Sequence, residues 1–252
     1  MRCNSTTAIQ GGSSCWLVPY RRAHVQRYHQ WFRDYPALLD ATGSEPMTLE
    51  EEYAMQRSWR EDEDKCTFIV LSQKEVRSVI PESCAEGTVL PTNFVASTVG
   101  CMAGDVNLFL SEYEPDDEDD VSSDALDSSK NNADAPEQGK RVYRQAEIDI
   151  MIAAPHHQRS GMGREAVRLM LQYATTQLSI DRFFCRINAS NTASLRLFRS
   201  ESFTDCGYAA CFDQYTLERW VSADDDLTTA PPLRLYECPA ARDDDESVIS
   251  DQ

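Results

Sequence analysis

The 252-residue sequence lacks any apolar run close to the roughly 20 residues that cross a bilayer, and it shows no internal repeat. Residues 1–12 have no apolar core, so no secretory signal is expected. The nine cysteines show no paired spacing, and Cys66, Cys101 and Cys185 sit inside apolar segments. That is the pattern of buried thiols in a reducing compartment, not of a disulfide framework. No Cys/His set has zinc spacing. His156 and His157 are adjacent in a loop, where neighbours rarely ligate one ion, so no metal is expected. The 24 Lys and Arg residues are scattered without a basic stripe, which removes the footprint of nucleic-acid binding. These absences predict an intracellular chain, cytoplasmic with the nucleus also open, with no membrane or nucleic-acid partner. Oligomeric state stays unknown.

What is abundant is acid, and it is unevenly placed. Of the formal net charge of -18, residues 112–140 supply -9 and residues 221–252 supply -7, leaving the rest near -2. Both acidic stretches are rich in Asp and Ser and poor in aromatics, so neither is expected to bury enough apolar surface to offset its ordering entropy. The reading is therefore an N-terminal arm (1–14), one folded domain (15–220) interrupted by a disordered acidic insertion (111–142), and a disordered acidic tail (221–252). A hairpin tip tolerates such an insertion, because closure entropy grows only with the logarithm of loop length.

Within the domain, residues 16–20, 66–71, about 97–110, 146–153, 182–187, 203–208 and 212–219 read as strands, with Gly100 and Gly104 as bulge points. A helix is expected over 23–33, with Val25, Tyr28, His29 and Phe32 on one face. A second runs from the capping box Thr48–Glu51 to about Arg60. Strands around two separated helices, followed by a right-handed βαβ crossover, predict an α/β (α+β mixed) fold. Its central sheet is mixed, mostly antiparallel, and flanked by helices.

The segment Gln158-Arg159-Ser160-Gly161-Met162-Gly163 lies between a strand with Ile148, Ile150 and Ile152 on one face and a helix carrying Val167, Met170, Leu171, Ala174 and Leu178. Two glycines there let a ligand approach the backbone, and the helix start offers unpaired N–H groups and a positive dipole end to a phosphate. Gly161-Met162-Gly163-Arg164-Glu165-Ala166 also fits a dinucleotide fingerprint. That fold, however, places its first glycine directly after the strand, whereas six residues from Pro155 to Ser160 intervene here. Its second strand should also end near an acid, and this one runs into Asn188.

These residues resemble the GNAT superfamily of acetyl-coenzyme A dependent N-acetyltransferases, whose pyrophosphate loop reads Gln/Arg-x-x-Gly-x-Gly/Ala. The second strand and Asn191-Thr192-Ala193-Ser194-Leu195-Arg196-Leu197-Phe198 resemble the family's next strand and helix. Ser44-Glu45-Pro46, Glu52-Tyr53-Ala54-Met55-Gln56 and Gly104-Asp105-Val106-Asn107 are similar to the N-acetyltransferase 9-like group. The resemblance implies acetyl-coenzyme A as cosubstrate, bound by Gln158, Arg159, Ser160, Gly161, Met162 and Gly163. Met151, Ile152 and Ala153 would lie along the acyl arm, with a backbone N–H as oxyanion donor. Asn191 would reach the coenzyme, unless it is simply a helix N-cap. Trp31, Tyr35, Glu45 and Tyr53 are implied at the acceptor cleft. Glu147 and Asp149, two carboxylates on the face opposite the isoleucines, raise each other's pKa and suit a general base, with Glu147 preferred and Asp105 behind them. The alternative for the pair is a solvated or Arg-paired sheet edge.

Two departures stand out. Phe198 replaces a tyrosine that in many members can protonate the departing thiolate, and Ser160 replaces a basic phosphate contact that Arg159 or Arg164 could supply. The implied activity is acetyl transfer to an amine, the α-amine of a protein or peptide being the expected acceptor. The alternative is a GNAT-fold binding module, weak or inactive as a catalyst, acting through protein partners.

Overall fold

The computed structural model describes residues 2–80, 89–115 and 142–240. Along the chain come β1 (Thr7–Gln10), β2 (Cys15–Pro19), α1 (Val25–Asp34), α2 (Ala37–Thr42), α3 (Leu49–Glu61), β3 (Lys65–Ser72) and α4 (Gln73–Val79). There follow α5 (Phe94–Thr98), β4 (Met102–Tyr113), β5 (Tyr143–Ile152), α6 (Met162–Leu178), β6 (Arg182–Asn188) and α7 (Thr192–Ser200). The described chain closes with β7 (Thr204–Ala209), β8 (Gln214–Trp220), α8 (Asp226–Thr229) and β9 (Arg234–Glu237). Among the described residues the strands form one nine-stranded sheet in the order β7-β8-β6-β5-β4-β3-β2-β1-β9. It is the mixed, mostly antiparallel sheet the pattern predicts, its parallel pair in this order being β5 with β6.

Strand alternation sorts the core into two layers. Leu17, Phe68, Val70 and Ile148 pack with Val167, Met170, Leu171 and Ala174 of α6 on one face. On the other, Trp16, Val18, Ile69 and Leu71 meet Val25, Tyr28 and Trp31 of α1. The capping box of α3 is present: Thr48 Oγ1 accepts from Glu51 N–H, and the Glu51 carboxylate accepts from Thr48 N–H at 2.8 Å.

Several boundaries differ from the sequence reading. Residues 97–101 are the end of α5 and a 3-10 turn, not strand, so Gly100 marks no bulge. The irregularity lies at Ala103, between Met102 and Gly104, which pair with Leu71 and Val70. Gly104 is required there, since a Cβ would sit 1.9 Å from the Met151 carbonyl oxygen. The expected insertion 111–142 is cut back: β4 continues through Tyr113, and residues 116–141 lie outside the described residues.

The arm and the tail are corrected more deeply. β1, inside the expected arm, pairs with both β2 and β9. Residues 221–240 are folded, although composition reads them as disordered. Tyr236 is 3 % exposed and its ring lies 5.0 Å from that of Trp16, while Leu227 is buried under α6. The acid here has a partner: buried Arg219 holds Asp225 at 2.6 Å and also Asp226. Composition cannot register one buried guanidinium waiting for two carboxylates. The rest of the expected tail, residues 241–252, lies outside the described residues.

Ending the chain after Trp220 should therefore lower the midpoint of urea unfolding, because it strips a strand from the sheet and leaves Arg219 buried without its carboxylates. Tyr236→Ala in the full chain should cost about 3 kcal/mol. Unchanged midpoints in both would show that β9 adds nothing to the fold.

Candidate active site

β5 and β6 pair in parallel over only three positions, from Gln145–Arg182 to Glu147–Phe184, and diverge beyond them. On its other side β5 stays in a continuous antiparallel ladder with β4. Ala153 N–H continues that ladder, donating to the Ala103 carbonyl at 2.9 Å. By strand alternation the N–H groups of Met151 and Asp149 face β4 as well, while those of Ile150 and Ile152 face the opening. The exposed donors beside the opening thus belong to Ile150 and Ile152; the Ala153 N–H, expected as an option, is already used.

The opening is flanked by a cavity of about 650 Å³ that runs over the loop from Gln158 to Arg164. Gly161 is the N-cap of α6, with φ 86° and ψ -8°, a left-handed conformation that a Cβ makes costly. The first helical bond is from Glu165 N–H to the Gly161 carbonyl at 3.1 Å, so the donors before it are left for a ligand. A Cβ on Gly163 would stand 3.5 Å from Ile152 and Leu197, so alanine fits there and larger side chains fill the cavity.

The loop is braced from both sides. Gln158 donates its amide to the Ile152 carbonyl at 2.9 Å, and Ser160 donates to the His157 carbonyl at 2.5 Å. Glu165, in the first turn of α6, accepts from Ser13 N–H (2.8 Å), Ser14 N–H (2.6 Å) and Cys15 N–H (3.1 Å), and also from the Ser14 hydroxyl. Burial works against its charge, but these bonds hold the carboxyl below its usual range. Arg159, Arg164 and Arg196 also border the cavity, bringing three guanidinium groups to it. Just before the loop, His157 Nε2 lies 3.3 Å from Glu75. The donor atoms of Glu75, His156 and His157 lie within 4.8 Å of one another, a set able to take a metal ion.

A second cavity, about 300 Å³, adjoins the first; both are bordered by Ile150, Met151, Asn191 and Ser194. Asn191 is the N-cap of α7, accepting from Ser194 N–H at 3.1 Å, and it borders both cavities as well. The two readings of that residue are therefore compatible. Phe198 packs against Phe203 with ring centroids 5.1 Å apart and forms part of the second cavity's wall.

Carboxylates define the second cavity. Asp105, 2 % exposed, accepts from Asn107 Nδ2 at 2.6 Å and from the Tyr28 hydroxyl at 3.4 Å. Its Oδ1 has no partner among the described residues. Burial pushes Asp105 up to about 7, against the pull of those hydrogen bonds. Asp149 also borders the cavity, and removal from water together with the charge of Glu147 pushes it up to about 6, while Lys65 and Arg186 pull the other way. Glu147 itself is gripped by Arg186, whose Nη1 lies 3.0 and 2.8 Å from its two oxygens. The structure thus separates the pair: Glu147 is the Arg-paired member and Asp149 the cavity member.

The expected acceptor residues scatter. Trp31, instead of reaching a cleft, is wholly buried beside Tyr28, and Tyr53 lies under the Arg22 guanidinium at 4.4 Å. Tyr35 is exposed at the C-terminus of α1. Glu45 borders a third, smaller cavity next to the second. Tyr28, Asn107 and Trp59 read as core or strand filler in the sequence; the fold puts them on the wall of the cavity that Asp105 and Asp149 border.

Residues 127–204 match the family described as an acetyltransferase (GNAT) domain. The chain is 37 % identical over 226 residues to alpha/beta-tubulin-N-acetyltransferase 9 of Drosophila melanogaster, covering 89 % of this chain and 92 % of that one. It is 36 % identical over 223 residues to the Homo sapiens protein of the same name, covering 88 % and 87 %. A solved structure of the ribosomal L7/L12 alpha-N-protein acetyltransferase RimL in complex with coenzyme A is similar in fold, with a TM-score of 0.54 at 15 % identity, covering 86 % of this chain and 99 % of that one.

Gly161→Val should strain the N-cap of α6 by about 1–2 kcal/mol, and Gly163→Ala should leave coenzyme A affinity near the parent's. The double replacement of Gly161 and Gly163 by valine should abolish binding in calorimetry. Parental affinity in that double variant would place the coenzyme elsewhere.

Proposed function

Because the chain belongs to the N-acetyltransferase 9 family of GNAT acetyltransferases, we propose that its acceptor is the α-amine at a protein N-terminus. It is an acetyl-coenzyme A dependent N-acetyltransferase acting on a protein, and the binding-module alternative is not favoured. The relatives named for α/β-tubulin make tubulin chains the first acceptors to test. An α-amine, with a reference pKa of about 8, loses its proton far more readily than a lysine at about 10.4. One observation supports the reading most: two carboxylates with raised pKa, Asp105 and Asp149, stand in the cavity that adjoins the coenzyme-side cavity.

Acetyl-coenzyme A supplies the acetyl thioester, and Gln158 to Gly163 with Arg159, Arg164 and Arg196 would hold its phosphates. On the acceptor side, Asp105 attracts the ammonium form of the amine and holds it beside β5. Asp149 then accepts the proton, a task suited to a group poised near neutral pH. The Ile150 or Ile152 N–H is the oxyanion donor. Phe198 offers no proton to the leaving thiolate, which departs as a thiolate or takes a proton from water. Glu147, fixed by Arg186, acts through its charge on Asp149.

Asp149→Asn should lower kcat roughly 10²–10⁴-fold with little change in coenzyme affinity. The parental rate should fall on the acidic side of about pH 6, where Asp149 takes up a proton and can no longer accept one. Glu147→Gln should move that limb to lower pH, by removing a like charge, and keep the maximal rate. The opposite pattern, with Asp149→Asn active and Glu147→Gln inactive, would make Glu147 the base.

Asp105 gives a thermodynamic test. Its folded pKa of about 7 lies above the unfolded value of about 3.9, so ionising it destabilises the fold. The cost is absent below pH 4, grows between pH 4 and 7, and is complete above. Asp105→Asn should therefore melt higher than the parent at pH 8, with the gap closing toward pH 4, while losing activity.

A further inference from the structure

The third cavity, about 150 Å³, lies between α1, α3 and the segment after α2, and it meets the acceptor cavity at Tyr28, Phe32, Ser44 and Trp59. Its walls are largely apolar, with Met47 and Met55 beside the aromatic rings. Among its polar members, Glu52 is the buried one. This residue of α3 is 2 % exposed, its Oε1 lies 3.7 Å from His29 Nδ1, and its Oε2 has no hydrogen-bond partner among the described residues. Burial pushes its carboxyl up to about 7. Arg33 and Glu45, one charge of each sign, stand at the same cavity.

A buried carboxylate with an unpartnered oxygen is costly, and proteins keep such groups where a cation or a donor meets them. Glu52 repeats what Asp105 does on the neighbouring cavity, and the Tyr28 ring lies against both. The shape suits a long side chain with an apolar stem and a cationic head: the stem against Met47, Met55 and Phe32, the head at Glu52 among aromatic faces. We propose that this cavity is a specificity subsite, with Glu52 on its wall, that takes a lysine or arginine at the acceptor residue next to the one bearing the reacting α-amine. The assignment rests on the α-amine reading above. With the amine at Asp105 and Asp149, the adjoining cavity is where the next side chain of an extended peptide goes. Glu52 is a binding residue here and takes no part in the proton transfer.

The test uses the full chain saturated with coenzyme A and five-residue peptides with free α-amines, identical except for Arg, Lys, Gln or Glu at the second residue. Calorimetry should show the Arg and Lys peptides binding roughly 10–100-fold more tightly than the Gln peptide, the range of one charge-assisted contact. Glu52→Gln should erase most of that advantage and leave binding of the Gln peptide unchanged, which a general loss of folding would not do. Equal binding of the Arg and Gln peptides by the parent would overturn the subsite. So would a preference that Glu52→Gln does not move, or one that appears only with the basic residue moved to the third position. Turnover of the same peptides answers the other question. Tight, Glu52-dependent binding without acetylation of any α-amine supports the subsite and counts against the α-amine reading. Acetylation of every peptide without preference does the reverse.

Discussion

The parting of β5 from β6 is the constraint on which the site depends. Parallel pairing ends after Glu147–Phe184, while the β4–β5 ladder runs to Ile152 and is prolonged by the Ala153 bond to Ala103. One edge of β5 is thereby saturated and the other is left open, so donors at Ile150 and Ile152 face a cavity instead of a strand. The same parting separates the starts of α6 and α7, which is why a glycine loop and Asn191 come to border one opening. Gly104 belongs to this arrangement too, since only a residue without a Cβ lets β4 lie against Met151 at the irregularity.

Holding that opening requires the N-terminus of α6 to stay in place with its donors free. Glu165 does this without using them. Its carboxylate reaches sideways to the N–H groups of Ser13, Ser14 and Cys15, tying the helix to the turn before β2. An acid in the first turn also complements the helix dipole. The N–H groups of Met162 and Gly163 remain unpaired within the helix. A serine or threonine cap at position 161 would have competed for them; glycine in a left-handed conformation does not.

On the opposite side of β5 the protein accepts a cost in stability. Asp105 and Glu52 are both about 98 % buried, and each leaves an oxygen without a partner among the described residues. Apolar replacements would make a more stable core at either place. The two carboxylates line connected cavities, on a wall formed by α1, α3 and β4.

The general architecture and the glycine-led start of α6 were legible in the sequence, because they are written in local terms. The alternation of Ile148, Ile150 and Ile152, the helical spacing from Val167 to Ala174, the Thr48–Glu51 cap and the paired glycines each express a period or a turn that residues impose on their own backbone. The pairing of Glu147 with Arg186, the meeting of Tyr28 with Asp105, and the complete burial of Trp31 could not be read this way, since the first two pairs are 39 and 77 positions apart and the third depends on what packs over α1. Residues 221–240 show the limit most clearly. Their composition is that of a solvated chain, and local chemistry predicts nothing more. What orders them is a strand edge at β1, an aromatic surface at Trp16 and a buried guanidinium at Arg219, all supplied from elsewhere in the fold. Periodicity and turn chemistry are properties of neighbours along the chain; which carboxylate is paired and which is left facing a cavity depends on distant partners, and only the folded arrangement decides it.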